Sequence, residues 1–115
     1  MKYFQILYYK NGQKRSVGYF DIDDKIEAKN EVLIKTGKWI SYYENGQKWK
    51  VENFKDGNLN GEFLAWYENG RKLSSGNYLD GMKEGDWIHL WEDGCPLIRT
   101  WKDGEDVTFE DGVPF

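Results

Sequence analysis

The chain has 115 residues, of which 17% are aromatic and 31% are charged, and its formal net charge is −4 with an isoelectric point near 5.0. This length fits one domain, and the scarcity of Leu, Ile and Val favours a sheet held together by rings over a thick aliphatic core. The acidic balance argues against nucleic acid and against steady attraction to anionic lipid, so we expect a neutral or basic partner.

The sequence also bears on cellular location. The first ten residues lack the uninterrupted apolar run of a signal peptide, and no segment has the roughly 18 apolar residues of a membrane span. Cys95 is the single cysteine, which excludes an intrachain disulfide. We therefore expect a cytoplasmic protein.

The first predicted unit, residues 3–20, is a degenerate copy of a segment found later in the chain. Its stretch Tyr8–Phe20 aligns with Tyr42–Phe54 at an offset of 34 residues. Extra residues fall in a charge-rich insertion at 21–36. Within it Glu31–Lys35 has the composition of a strand, and a short helix from Asp24 is the alternative.

Three regular units follow at a spacing of 24 residues, which indicates a repeat array. They cover residues 37–60, 61–84 and 85–104. Each begins with a glycine and reaches a second glycine after Asn or Asp, a pair of residues that tolerates the positive φ of tight hairpin turns. These glycines are Gly37, Gly61 and Gly85, then Gly46, Gly70 and Gly94. Residues 105–115 are the predicted C-terminal cap, containing an edge hairpin.

Two hairpin registers fit the turn, one with a two-residue loop at Asn45 and Gly46 and one with a three-residue loop that adds Glu44. We favour the second, which places Tyr43 opposite Gln47 and Ser41 opposite Trp49.

This register requires one extra residue in some second strands. We predict β-bulges near Glu52–Asn53 and Gly76–Asn77, because five residues separate the flanking rings there. The third unit is one residue shorter, and its predicted hairpin has no bulge.

The register predicts one aromatic face on an all-β, elongated and twisted antiparallel meander of tandem hairpins in a single layer. Gly37, Gly61 and Gly85 are expected to give the rings backbone room. The rings of this face, which are also the candidate binding residues, are Trp39, Tyr43, Trp49, Phe63, Tyr67, Trp87 and Trp91. Val51, Leu73 and Leu97 are predicted beside them. The opposite face is predicted to carry Lys38, Lys48 and Lys50, and with them Ile40, Tyr42, Leu64, Trp66, Ile88 and Leu90. This face is more apolar than solvent favours, so we expect either a partner chain or the insertion at 21–36 to cover it.

These rings have a structural and a functional interpretation. As structure, they form ladders that stabilise a sheet with no second layer. As function, an exposed strip of rings is a docking surface for another protein. Both can hold at once.

We predict no catalytic residue, no metal site and no cofactor. His89 takes the position of Ser41 and Ala65, where a packing or hydrogen-bonding role is the simpler interpretation. Cys95 follows a turn and has no second thiol nearby in sequence. The Asp-Gly pairs could be calcium ligands, but they lack the order of known calcium loops and fit turns better.

The motif in Gly61–Gly70, followed by Tyr78–Gly85, resembles the MORN repeat in its bacterial variant form. The resemblance covers roughly Tyr8–Gly104, and Arg15 and the insertion depart from it. It implies a non-catalytic protein-binding role of the kind assigned to bacterial antitoxin or immunity proteins, whose partner is a toxin.

We therefore predict an interaction module that is not an enzyme. The alternatives are an aromatic array that binds choline or glycan, and a scaffold associated with a membrane, which the acidic charge disfavours. The sequence is compatible with a homo-oligomer.

Overall fold

The computed structural model describes residues 2–22 and 33–108, and every regular element within these ranges is a β-strand. The strands are β1 (Lys2–Tyr8), β2 (Lys14–Ile22), β3 (Leu33–Tyr42), β4 (Lys48–Lys55), β5 (Asn58–Leu59), β6 (Gly61–Trp66), β7 (Lys72–Leu79), β8 (Met82–Leu90), β9 (Pro96–Lys102) and β10 (Glu105–Asp106).

All strands belong to one open antiparallel sheet that follows the order of the chain. The order is β1-β2-β3-β4-β6-β7-β8-β9-β10, and the short β5 pairs with β4. The molecule measures 60 × 36 × 16 Å, and the smallest dimension is what one sheet with its side chains occupies. The predicted single-layer meander of hairpins is confirmed.

Each hairpin turn has the predicted three-residue loop. The Tyr43 amide donates to the Gln47 carbonyl at 2.8 Å, and the Gly46 amide donates back to Tyr43 at 3.0 Å. Gly46 has φ of 88°, the left-handed conformation that this loop requires at its last residue. The predicted opposition of Tyr43 and Gln47 is confirmed.

The hairpin also has a β-bulge next to its turn, which we did not predict. Tyr42 pairs with Lys48 and the preceding Ser41 pairs with Lys50, so Trp49 is the extra residue. The predicted pairing of Ser41 with Trp49 is therefore wrong. The register shift predicted near Glu52–Asn53 lies on the other side of β4, between the pair Val51–Leu64 and the pair Phe54–Leu59. The bulge turns Trp49 toward Tyr43, with ring centroids 5.9 Å apart.

The same bulge next to the turn occurs in the other hairpins that have the extra residue. Leu73 is the extra residue in the hairpin of β6 and β7, and Arg15 is the extra residue in the hairpin of β1 and β2. The irregularity predicted near Gly76–Asn77 is present on the other side of β7, where the register with β8 shifts between Ser75 and Asn77. The hairpin of β8 and β9 pairs without interruption from Gly85 to Leu90. The prediction that this shorter unit lacks a bulge is confirmed.

The bulge position reverses two predicted side-chain directions. Val51 pairs with Ile40 and Leu64 and so lies on the opposite face, whereas we predicted it beside the rings. Lys50 pairs with Ser41 and Ala65 and lies on the aromatic face. An extra residue in a strand moves each side chain that follows it to the other face of the sheet.

Two-residue turns connect successive units. Asp56 and Gly57 both have positive φ, at 52° and 82°, and the pairs Asp80–Gly81 and Asp103–Gly104 are alike. This geometry is the type I′ turn, which Asp-Gly favours. The interpretation of these pairs as turns is confirmed.

The core of the aromatic face lies where an indole crosses a glycine of the preceding strand. Trp39 and Trp87 are only 3% and 6% exposed. A Cβ on Gly18 would lie 2.1 Å from the ring of Trp39, and one on Gly76 would lie 2.2 Å from the ring of Trp87. These glycines leave the room in which the rings lie flat.

We predicted that role for Gly37, Gly61 and Gly85, and the structure gives them another. Added Cβ atoms would meet nothing within 4 Å at Gly37 and Gly85, and only Asn53 at 3.4 Å from Gly61. All three have positive φ, so they bend the strand that opens each unit.

Two sequence predictions fall largely outside the described residues. The alternative helix from Asp24 lies in 23–32, and the predicted cap hairpin lies mostly in 109–115. The part of the predicted strand that is described, from Leu33, opens β3.

Candidate interaction surfaces

The seven candidate binding rings divide by exposure. Trp39 and Trp87 are buried, and Tyr43, Phe63 and Tyr67 are half-buried. Trp49 and Trp91, both next to the turns, are 41% and 53% exposed. Most of the aromatic face therefore packs against itself, and its exposed rings lie at the turn end of the sheet.

Tyrosines link each hairpin to the next. The hydroxyls of Tyr9, Tyr43 and Tyr67 donate to the backbone oxygens of Tyr42, Trp66 and Leu90, each at 2.7 Å. These bonds fix the turn ends of neighbouring units relative to one another.

A second series of bonds joins the turns themselves. The side-chain amides of Asn11 and Asn45 donate to the backbone oxygens of Glu44 and Glu68, and Arg71 donates to that of Glu92 at 3.2 Å. The last turn departs from this series in two ways. Trp91 has no hydroxyl, and Asp93 has no amide hydrogen to donate.

An open depression lies between the last two turns on the aromatic face. Its volume is about 620 Å³, and its lining residues are Tyr67, Leu73, His89, Trp91, Glu92 and Asp93. Burial, followed by the charges of Glu92 and Asp93, raises the pKa of Tyr67 above its ordinary value. The depression therefore combines rings with negative potential.

The opposite face carries a continuous row across the sheet that we call the central row. Its members pair directly from strand to strand: Ile6, Val17, Ile40, Val51, Leu64, Ser75, Ile88 and Ile98. Only Ser75 is not aliphatic. Ile40, Leu64 and Ile88 were predicted on this face, and Val51, which was predicted beside the rings, makes the row continuous.

A row of alternating rings and lysines lies beside the central row, on the side of the turns. Tyr8 pairs with Lys14, Tyr42 with Lys48, and Trp66 with Lys72. The last hairpin has Leu90 and Pro96 at these positions. The central row thus has a polar border that ends before its most exposed members.

The remaining features are Cys95, the possibility of a metal site and the possibility of a membrane-spanning helix. Cys95 is exposed, and its amide donates to the Asp93 carboxylate at 2.9 Å. Within residues 2–22 and 33–108, no three His, Cys, Asp or Glu side chains are close enough to hold a metal ion. The described part of the chain contains no helix with the length and apolar character needed to cross a membrane.

Comparison with protein-family models, with curated proteins and with solved structures gives no significant match to this chain. The resemblance to the MORN repeat stays a prediction from the quoted motif.

Proposed function

We propose that this protein is a non-catalytic protein-binding module whose partner covers the central row. The observation that carries the proposal is the exposure of this aliphatic row at its β8–β9 end, where Ile88 is 38% and Ile98 54% exposed, whereas Val51 at its middle is 6% exposed. Large apolar patches on a folded protein usually mark a surface that another protein covers. The row crosses eight strands, a length of roughly 34 Å at the usual strand spacing.

The polar border supports a protein partner over a small ligand. Lys14, Lys48 and Lys72 are exposed along one side of the row and alternate with rings. An apolar centre with a polar, solvent-accessible rim is the usual anatomy of a protein interface. In the specific form that the MORN resemblance implies, the partner is a toxin that this protein neutralises.

Adjacent residues of β9 provide a matched test, because they point to opposite faces. Ile98 belongs to the central row, whereas Leu97 pairs with His89 on the aromatic face. With the product of the neighbouring gene as partner, we expect Ile98→Asp to weaken binding at least 10-fold, since a carboxylate would be buried without a counter-charge. Leu97→Asp should change binding less than 3-fold, about 0.6 kcal/mol.

Co-purification and a titration of the two purified proteins measure this difference, and the melting temperature of each variant shows whether it is folded. In cells, wild type and Leu97→Asp should relieve growth arrest caused by the partner, and Ile98→Asp should not. Equal binding by both folded variants would rule out the central row as the interface.

A further inference from the structure

We propose that the outer edge of β1 pairs with β1 of a second copy of this chain, so that two sheets join into one across a twofold axis. This edge lies at the opposite end of the sheet from the exposed Ile88 and Ile98, and its pairing goes beyond the protein-binding role proposed above. Three observations carry the proposal: a long and mostly apolar edge strand, a short and charged strand at the other edge, and a register that matches β1 to itself.

The strand β1 is the first in the sheet, and within residues 2–22 and 33–108 it pairs only with β2. Alternate backbone N–H and C=O groups along its seven residues therefore point away from the sheet. Lys2 is its single charged residue, it contains no proline, and Phe4 and Tyr8 are 55% and 58% exposed. A long, apolar edge of this kind is a template for another strand.

The other edge of the described sheet has the opposite character. The strand β10 consists of two acidic residues, Glu105 and Asp106, which pair with Lys102 and Trp101. A short and charged edge strand discourages pairing with another chain. Head-to-tail pairing of β1 with β10 would form few hydrogen bonds, whereas β1 with β1 joins two long edges.

One register matches the whole strand to itself. Two antiparallel copies of β1 can pair all seven residues only with Gln5 on the twofold axis. Lys2 then lies opposite Tyr8 of the second copy, and Phe4 lies opposite Ile6. Since Ile6 belongs to the central row, the apolar row continues across the axis through an exposed ring. The Gln5 side chain has both donors and an acceptor, so two identical copies of it can bond to each other.

The same register continues the border of rings and lysines beside the central row. Tyr8 pairs with Lys14 on one side, and Lys2 of the second copy would lie on its free side. A shift of two residues in one direction would put Lys2 opposite Ile6, in the apolar row. A shift in the other direction would put Lys2 opposite Lys10, and like charges directly opposite each other are destabilising. The full-length register is therefore the favoured one.

Sedimentation equilibrium of the full chain measures the association. We expect a dimer with a Kd of about 10 to 100 μM, because one pair of strands buries less surface than a standard protein interface. A chain that is still monomeric at about 1 mM would overturn the proposal.

Charge substitutions at Gln5 test the register, since this residue faces its own copy. Gln5→Lys and Gln5→Glu should each dimerise about 5-fold more weakly than wild type, because like charges would lie opposite each other. An equimolar mixture of the two variants should recover the dimer, because opposite charges then meet. Melting temperatures show whether each variant is folded. Wild-type dimerisation by both single variants, or no recovery in the mixture of folded variants, would contradict this register.

Disulfide trapping locates the paired strands. In a Cys95→Ser background, Gln5→Cys should give a crosslinked dimer under mild oxidation, because directly opposite residues have the Cα separation that a disulfide needs. Lys2→Cys is the matched control: it is more exposed, but it would lie opposite Tyr8 and should not crosslink. Equal crosslinking by the two variants would indicate random collision and overturn the proposal.

Ile98→Asp should dimerise as wild type does, which separates the β1 edge from the interface proposed for the central row. Dimerisation and partner binding can therefore fail independently of each other.

Discussion

The middle of the three regular units, residues 61–84, differs from the units on either side at a ring and at the two residues that contact this ring. Trp39 and Trp87 lie over Gly18 and Gly76, and each also has a lysine over its ring, Lys35 at 4.8 Å and Lys83 at 4.9 Å. The middle unit has Phe63 in place of the tryptophan, and the residues around it are Glu52 and Leu59 of the preceding unit in place of the glycine and the lysine. The large ring, the glycine beneath it and the lysine above it are therefore one structural set.

The hydrogen bonds follow the same division. The indole nitrogens of Trp39 and Trp87 donate to the backbone oxygens of Tyr19 and Asn77. Phe63 has no such donor, and the equivalent oxygen, that of Asn53, accepts from the Asn60 amide at 2.8 Å instead. The comparison shows that a repeat can exchange its whole core set without changing its backbone plan.

Removing the large ring should have the largest effect. We expect Trp87→Ala to lower the free energy of unfolding by about 3 to 5 kcal/mol, because it leaves a cavity at one of the few buried positions. Phe63→Ala should cost less, because Phe63 is only half-buried. Denaturant unfolding of both variants measures the difference, and equal losses would contradict the distinction between the units.

Adding a side chain beneath the ring should be the next most harmful change. Gly76→Ala puts a Cβ 2.2 Å from the indole of Trp87, so we expect a loss of about 3 kcal/mol. Ser75→Ala, on the adjacent residue that faces the other way, is the matched control and should cost less than 1 kcal/mol. A Gly76→Ala variant as stable as this control would show that the ring can move aside.

Converting the middle unit tests whether the set acts together. Phe63→Trp alone should destabilise by about 1 to 3 kcal/mol, because Glu52 lies where an indole needs glycine. Adding Glu52→Gly should recover most of this loss, which makes the pair non-additive. Thermal unfolding of both single variants and the double variant gives the coupling, and simple additivity would refute the link between ring and glycine.

The tyrosine bonds between units should have the smallest effect. Tyr43→Phe should cost about 1 kcal/mol at neutral pH, since it removes the bond to the Trp66 oxygen. Burial, then the charge of Glu68, raises the pKa of Tyr43 above its ordinary 10.0 in the folded state. Its stabilising contribution is thus complete below pH 10 and is lost as pH rises through the folded value.

Unfolding measured from pH 8 to 11 should therefore show a shallower alkaline decline for Tyr43→Phe than for wild type. Parallel declines would mean that Tyr43 titrates alike in the folded and unfolded states. Tyr3→Phe, at an exposed residue of the edge strand, is the control.

Local chemistry predicted much of the fold. Asn-Gly and Asp-Gly mark the tight turns within residues 2–22 and 33–108, because φ preferences act within a few residues. The bulge at Trp49 was not predicted, because it depends on Trp49 turning to meet Tyr43, a contact that the spacing of rings along one strand does not reveal. The same error placed Val51 beside the rings instead of in the central row.

The candidate site was less predictable than the fold. Gly18 is unremarkable in its own unit, and its role appears only when the ring of Trp39 from the next unit lies over it. The depression near Trp91 depends on Leu73 and His89, which come from different strands. A signal was present in the repeats, since His89 and Leu73 both depart from their equivalents, but its meaning required the packing.

The turn at Trp91–Gly94 determines where a further repeat unit could be added to the sheet. A duplicate of residues 61–84 inserted before Gly85 would meet matching donors and acceptors on both sides and should extend the sheet. The same segment appended after Gly104 would abut Trp91 and Asp93, which offer neither the hydroxyl nor the amide that joins other units. Lengthening should therefore succeed internally and fail after the last hairpin, because the turn of that hairpin lacks the two side chains that join other units.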